Sequence, residues 1–163
     1  MRFFRSLAVL TLSISSVVLH GCSDDQSPLS NSNEAEQAAR ALLTTLTLEQ
    51  KVGQMIQGEI AHVTPDDLRK YGLGSVLNGG GSFPGGEKNA SIDDWLALAD
   101  AFYQASIDTT EGSAGIPVIW GTDAVHGHNN VIGATIFPHN IGLGATNNPA
   151  LMREIGEVTA LEV

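Results

Sequence analysis

Apolar residues begin to recur at helical spacing near Glu34, where folded structure is predicted to start. Thr47 and Gln50 match a capping box, in which each side chain hydrogen-bonds to the backbone N–H of the other residue. The capping box predicts a short helix with one apolar face, formed by Leu48, Val52, Met55 and Ile56. Thr64 followed by Pro65 predicts another helix start, because proline is favoured in the first helical turn.

Two short apolar runs predict buried strands. The first covers residues 74–78 and ends at three consecutive glycines. The second covers residues 116–123, and its proline at the second position fits only the start of a strand. A helix capped by Ser91 is predicted between them, and Asn148 opens a last helix. Alternating strands and helices predict α/β architecture with parallel strands.

The last predicted helix runs from Ala150 to Val163 without a stop signal. A helix usually closes on glycine, a nearby proline or a basic final turn, and the apolar pattern here continues to the last residue. We therefore expect the sequence to be a fragment or a truncated coding sequence.

The first 22 residues match a secretory leader with a lipidation site. Arg2 and Arg5 precede an apolar run over residues 7–19, which is too short to span a bilayer well. Cys22 follows in a segment that resembles a bacterial lipobox, and this single cysteine has no disulfide partner in the chain. Acyl chains on Cys22 would anchor the protein to a membrane, and the alternative is a plain signal peptide with a free thiol.

Three regions follow from this leader. Residues 1–22 are predicted to be the lipoprotein signal peptide, residues 23–33 a flexible polar tether, and residues 34–163 the folded part. The expected location is the bacterial cell envelope, lipid-anchored at the outer membrane because Ser23 rather than aspartate follows the cysteine. A periplasmic or secreted protein is the alternative.

The net charge of −10 argues against a nucleic-acid partner. Phosphate contacts require a basic face, and the chain has eight basic residues, of which two lie in the leader. An acidic surface is compatible with neutral polymers, although it is also a common route to solubility.

Asp123 is the strongest candidate for a ligand-binding side chain. It ends the second predicted strand, and polar groups at the carboxyl ends of parallel strands line the ligand sites of α/β folds. A carboxylate there can accept hydrogen bonds from two hydroxyl groups of one sugar ring. The alternative is an aspartate that caps a turn or a helix, and position alone does not separate the two.

Three histidines and a glycine run suggest other ligands. His126 and His128, with His139, could ligate zinc, but no acid or cysteine completes a recognisable site. We favour histidines that hydrogen-bond within a loop, and we predict no metal and no cofactor. The glycines at 79–81 are not followed by the Lys-Ser or Lys-Thr of a phosphate-binding loop. They form a turn or let the backbone approach a ligand closely.

Four segments, in this order and spacing, closely resemble family 3 glycoside hydrolases: residues 46–55, 74–82, 116–130 and 133–146. The resemblance covers about residues 38–163 and is closest to the glucosidase and glucan-exohydrolase branch. The hexosaminidase branch usually has an Asp-Gln-Glu-Gly-Gly run where this chain has residues 123–127.

The resemblance implies the first portion of a (β/α)₈ TIM-like barrel, followed in the family by a second α/β domain. It implies retaining hydrolysis of a terminal β-linked sugar, with a nucleophilic aspartate and an acid/base glutamate that this chain does not contain. Asp123 matches the family's aspartate that holds the non-reducing glucose in subsite −1, and Gly80 corresponds to a glycine near that subsite. A complete barrel needs about 250 residues, so we expect an incomplete one with poor independent stability.

The resulting expectation is a parent enzyme that removes terminal β-linked glucose from oligosaccharides or β-glucans, with this fragment inactive alone. The first alternative is a non-catalytic sugar-binding envelope lipoprotein that keeps Asp123 as a recognition group. The second is a metal hydrolase using His126, His128 and His139. β-Xylosidase specificity, linkage preference and oligomeric state are left open by the sequence.

Overall fold

The computed structural model describes residues 28–163, with side chains described from residue 33 onward. The described residues divide into two units between Ala39 and Arg40, and the second unit covers residues 40–163. The predicted signal peptide and the predicted lipidation site Cys22 lie outside the described residues. Within the described part, no helix is both long enough and apolar enough to cross a membrane.

Helix α1 covers Pro28–Thr45, so it begins earlier than the sequence predicted. Residues 28–33 had been predicted as part of a flexible tether, and the structure makes them helical. Several alanines, which have the highest helix propensity, follow in the same helix and favour its extension toward the N-terminus. From residue 33 to its end, every residue of α1 is exposed.

Three parallel strands form the sheet, in the order β1-β2-β3: Gln57–Glu59, Ser75–Asn78 and Ile119–Thr122. Gly58 pairs with Val76, and Val76 pairs with Trp120. The predicted parallel α/β architecture and the two predicted strands are confirmed. Strand β3 starts later than predicted, since Pro117 has no N–H to give to a neighbouring strand. Strand β1 was not predicted.

Four of the five α-helices described in the second unit start at the caps that the sequence predicted. The five helices are α2 (Leu48–Gln54), α3 (Pro65–Tyr71), α4 (Ile92–Ile107), α5 (Asn140–Ala145) and α6 (Pro149–Glu162), with a short 3-10 helix at Pro84–Gly86. Thr47, Thr64 and Ser91 each form a complete capping box. The Asn148 side chain accepts a hydrogen bond from Leu151 N–H at the start of α6. Helix α5 was not predicted.

One face of the sheet is packed against α3 and α4. The buried core consists of Leu68, Leu73, Val76, Phe102 and Ala105. The Phe102 ring lies 6.2 Å from the Trp120 ring and joins α4 to the centre of β3. Alternation along the strands sends Leu77 and Ile119 to the opposite face, where 69% of Ile119 is exposed. The residues of unit 40–163 therefore cover one face of the sheet and leave the other accessible.

The predicted apolar face of α2 is not buried, which corrects the sequence-based expectation. Leu48 and Met55 are 72% and 84% exposed. The helix instead packs through Gly53, whose backbone is so close to Tyr71 that an added Cβ would lie 2.2 Å from the Tyr71 carbonyl oxygen. Close backbone contact, rather than its large apolar side chains, holds α2 to the end of α3.

Candidate functional site

All three strands end at the same edge of the sheet, because they are parallel. Glu59 is the last residue of β1, Asn78 the last of β2 and Thr122 the last of β3, with Asp123 directly following. The carboxyl ends of parallel strands form the ligand-binding edge in α/β folds. The fold therefore collects four polar side chains at the edge where a ligand is expected. We refer to Glu59, Asn78, Thr122 and Asp123 as the strand-end cluster.

Asn78 is the fixed centre of the strand-end cluster. Its side chain is fully buried, its Nδ2 donates to the Ser82 carbonyl oxygen at 2.9 Å, and its Oδ1 accepts from the Thr122 hydroxyl at 3.1 Å. The Asn78 amide thus connects the loop after β2 (residues 79–82, the glycine loop) to the end of β3. A buried amide with its donor and acceptor both paired gives this edge a defined geometry.

The Asp123 backbone is held on both sides. Its N–H donates to the Asn78 carbonyl oxygen at 3.0 Å, and its carbonyl oxygen accepts from Asn130 Nδ2 at 3.3 Å. Asn130 is itself buried. These two hydrogen bonds fix the position of the backbone that carries the Asp123 side chain. The residue as a whole is exposed.

The Asp123 carboxylate is accessible and lies beside the glycine loop. Its Oδ2 is 3.9 Å from the point that a Cβ on Gly79 would occupy. Among residues 33–163, no side chain forms a hydrogen bond or an ion pair with this carboxylate. The structure thus places Asp123 at the strand-terminal edge, as the sequence predicted, with its acceptor oxygens unused by the protein.

Gly80 lies in the loop between β2 and the 3-10 helix. Ser82 N–H donates to the Gly79 carbonyl oxygen at 3.2 Å and closes this turn. Gly81 has φ near +105°, a backbone conformation that favours glycine. Nothing lies within 4 Å of the Cβ position of Gly80. Its backbone is therefore open to a ligand, and its predicted part in sugar binding stays a prediction.

Glu59 is a member of the strand-end cluster that the sequence analysis missed. Its Oε2 accepts from Ala61 N–H at 2.7 Å and lies 3.2 Å from His62 Nδ1. Its Oε1 is buried and has no hydrogen-bond partner of good geometry among the described residues. Burial acts to raise the pKa of Glu59, but the nearby Ser82 hydroxyl, the backbone N–H groups of Ala61 and Gly79, and His62 together lower it below its ordinary value. The carboxylate is therefore ionised at neutral pH.

Two of the three histidines lie side by side, and each of these two contacts the backbone. His126 Nδ1 lies 2.7 Å from the Phe137 carbonyl oxygen, and its ring lies 5.6 Å from the ring of His139. His139 Nδ1 accepts from Ile141 N–H at 3.5 Å and caps α5. In residues 28–163, no group of three or more His, Cys, Asp or Glu side chains could hold a metal ion. The contacts of His126 favour the interpretation that it shapes the loop after β3.

His128 differs from the other two histidines because it is buried. It lines a cavity of about 630 Å³ together with Asn78, Trp95, Trp120 and Glu162. Burial lowers the pKa of His128, and the negative charge of Glu162 opposes that shift. Neither Asp123 nor Gly80 lines this cavity, so it is separate from the accessible part of the strand-end cluster.

Residues 47–163 match the family model described as the glycosyl hydrolase family 3 N terminal domain. The chain belongs to glycosyl hydrolase family 3. The match covers the second unit from the cap of α2 to the last residue and includes the whole strand-end cluster.

Individual proteins agree with this assignment. The chain is 35% identical over 121 residues to a lysosomal beta glucosidase of Dictyostelium discoideum. It is 52% identical to an exo-1,3/1,4-beta-glucanase from a Pseudoalteromonas species, whose crystal structure superposes on 78% of this chain with a TM-score of 0.75. A mutant of that glucanase gives a TM-score of 0.74 at the same identity and the same coverage of this chain.

This chain spans only a small part of the length of each relative. It covers 14% of the Dictyostelium protein, and 16% and 20% of the two glucanase structures. Within the aligned region, the likeness extends to the arrangement of backbone elements as well as to the sequence.

Proposed function

We propose that this chain is the N-terminal part of an enzyme that removes terminal β-linked glucose from oligosaccharides or β-glucans. Family membership supports glycoside hydrolysis, and the two relatives are named as a beta glucosidase and an exo-1,3/1,4-beta-glucanase. Because both are named as enzymes, hydrolysis is favoured over a non-catalytic sugar-binding lipoprotein. The substrate is a β-glucoside or β-glucan oligosaccharide.

In this proposal, Asp123 holds one sugar ring in subsite −1. The observation that carries the proposal is its geometry: a backbone fixed on both sides and a carboxylate with free acceptor oxygens at the strand-terminal edge. Two adjacent sugar hydroxyls can donate to the two oxygens of one carboxylate. Hydrogen bonds to a charged acceptor contribute about 1.5–3 kcal/mol each, enough to orient a ring. The open backbone at Gly80 borders the same position.

The proposed mechanism is retaining hydrolysis, and its reacting carboxyl groups are not assigned to this chain. Such enzymes use a nucleophile and an acid/base about 5–5.5 Å apart. The acid must carry a proton at working pH, so its pKa is raised. Glu59 does not suit that role because its pKa is lowered. We therefore propose that Asp123 binds substrate and that residues 1–163 alone do not catalyse hydrolysis.

The sheet and its helices would then form the first portion of a (β/α)₈ barrel. Each parallel strand in the order β1-β2-β3 is followed by at least one helix, as in the early repeats of such a barrel. We further propose that the parent protein is tethered to the bacterial cell envelope through lipidated Cys22.

The test compares Asp123→Asn with Asp100→Asn, a change at an exposed aspartate on α4. Titration calorimetry of the 163-residue chain with glucose is expected to show saturable binding. Asp123→Asn should weaken it at least about tenfold, a loss of about 1.4 kcal/mol, whereas Asp100→Asn should leave it unchanged. The same preparation should not hydrolyse an aryl β-glucoside. Robust turnover by this chain, or equal binding by both variants, would overturn the proposal.

A further inference from the structure

We infer that Glu59 is a positioning residue, whose carboxylate connects the turn after β1 to the glycine loop after β2 and so fixes that loop beside Asp123. This glycine loop consists of residues 79–82. That this loop borders a sugar rests on the proposed function above. The position of the Glu59 carboxylate against the loop is independent of that proposal, since it comes from the geometry of the described residues.

One carboxylate oxygen of Glu59 contacts the turn that follows β1. Oε2 accepts from Ala61 N–H at 2.7 Å and lies 3.2 Å from His62 Nδ1. A backbone hydrogen bond closes the same turn, because His62 N–H donates to the Glu59 carbonyl oxygen at 2.8 Å. This set of contacts fixes the orientation of the carboxylate, so the direction of Oε1 is determined as well.

The other oxygen points at the glycine loop. Oε1 is 3.8 Å from the point where a Cβ on Gly79 would lie, and the protein shields it from solvent. The Ser82 hydroxyl and the Gly79 N–H are the donors close enough to act on this carboxylate. A buried acceptor that lacks a well-aligned donor is costly, so small adjustments of the loop toward Oε1 are favoured.

The loop is hydrogen-bonded to Asn78 at one end and lies against the Glu59 carboxylate at the other. Asn78 Nδ2 donates to the Ser82 carbonyl oxygen at 2.9 Å, and Glu59 faces Gly79 and the Ser82 side chain. Gly80 and Gly81, between these ends, have nothing within 4 Å of their Cβ positions. An open two-residue backbone segment thus lies near the Asp123 carboxylate.

Glu59 acts through the loop and not by touching the ligand. Because Oε1 is buried, a sugar hydroxyl cannot reach it while the loop is in place. The titratable groups that face Glu59 are His62, from its own turn, and Asp123, from the end of β3. Because the pKa of Glu59 is lowered in the folded chain, we expect its negative charge to favour this position of the loop at pH values above 4.5. That preference is lost as the pH falls through the lower, folded value.

The test is an NMR pH titration of the isotopically labelled 163-residue chain, which needs no sugar. The Glu59 carboxyl carbon should titrate with a midpoint below 4.5, and the Gly79 and Ser82 amide signals should follow the same midpoint. Glu59→Gln, which keeps the shape and removes the charge, should abolish that titration in the loop and increase the mobility of Gly80 and Gly81.

Glu49→Gln is the matched control. Glu49 is a glutamate whose pKa is also lowered, but by backbone and Thr47 hydrogen bonds at the start of α2. This variant should leave the loop titration intact. Loop amides that titrate in Glu59→Gln as they do in the unmodified chain would overturn the inference. The unmodified chain also tests the inference without any variant. If the Gly79 and Ser82 amide signals do not share the titration midpoint of the Glu59 carboxyl carbon, the inference is contradicted.

A glucose titration of the same samples separates this inference from the proposed function. Glu59→Gln should weaken glucose binding several-fold, by less than Asp123→Asn does. If the loop follows Glu59 but glucose does not bind, the connection stands and the proposed function fails. If glucose binds through Asp123 and Glu59→Gln changes neither the loop nor the affinity, the proposed function stands and the positioning role fails.

Discussion

The same three strands build two regions with opposite chemistry. Toward α3 and α4, Val76 and Trp120 enter an apolar core with Phe102. At their carboxyl ends, the strands present Glu59, Asn78 and Asp123. The core region gains stability by removing apolar area from water. In the strand-end cluster, a buried amide and charged groups occupy positions where an apolar side chain would avoid the free-energy cost of burying polar groups.

Under the proposed function, the core serves stability and the strand-end cluster serves binding. Buried polar groups contribute little net stability even when paired, and they give a site its geometry. In the strand-end cluster, the buried Asn78 orders the backbone around the exposed Asp123. Changes in the core should therefore affect folding, whereas changes at the accessible edge should affect binding.

The largest effect is expected from Phe102→Ala in the core. Phe102 is 1% exposed and contacts both the helix layer and β3, so truncation should cost about 3–5 kcal/mol in the free energy of unfolding. Tyr103→Ala, at a neighbouring aromatic residue that is 45% exposed, is the control and should cost much less. Urea denaturation measures both, and equal losses would contradict the assignment of the core.

Asn78→Ala should have an intermediate effect, because this residue belongs to both regions. It removes the donor to the Ser82 carbonyl oxygen and the acceptor for the Thr122 hydroxyl, which should cost about 1–3 kcal/mol in the free energy of unfolding. Glucose affinity should fall as well. Asn89→Ala, at an exposed asparagine, should change neither quantity. A stable Asn78→Ala protein with unchanged affinity would show that Asn78 does not order the site.

The smallest effect concerns His128 and pH. Because burial lowers its pKa in the folded chain, the unfolded chain takes up a proton first as the pH falls below 6.5. The free energy of unfolding should therefore decrease below pH 6.5, and this decrease should be smaller in His128→Asn. Thermal unfolding of the unmodified chain and of His128→Asn at several pH values measures it. A pH dependence that is identical in His128→Asn and the unmodified chain would refute the role of His128.

The sequence predicted those elements whose signals are local. Strand β2 is an apolar run closed by glycines, and α4 begins at a Ser91 capping box, so both follow from short stretches of sequence. Asp123 was found for a similar reason, since it directly follows a recognisable buried strand. The predicted start of α1 is wrong for a local reason too: residues 28–33 have the polar composition of a tether, but the alanines that follow favour a helix.

The missed features depend on tertiary contacts. Strand β1 has three residues, Gln57–Glu59, and no apolar run, so it is a strand only because β2 pairs with it. Glu59 was missed with its strand, although an acid after Gly58 and before an apolar residue is a weak signal of a strand end. The α2 pattern predicted an apolar face correctly but not its exposure, because periodicity does not show what covers a helix.

Mapping a glucose titration onto the backbone amide signals of the 163-residue chain tests the central claim most directly. The account predicts saturable shifts at Gly79, Gly80 and Asp123, with none in the core around Phe102, and loss of these shifts in Asp123→Asn. Shifts confined to the cavity around Trp95 and His128, or shifts that persist in Asp123→Asn, would contradict a sugar site at the strand-terminal edge.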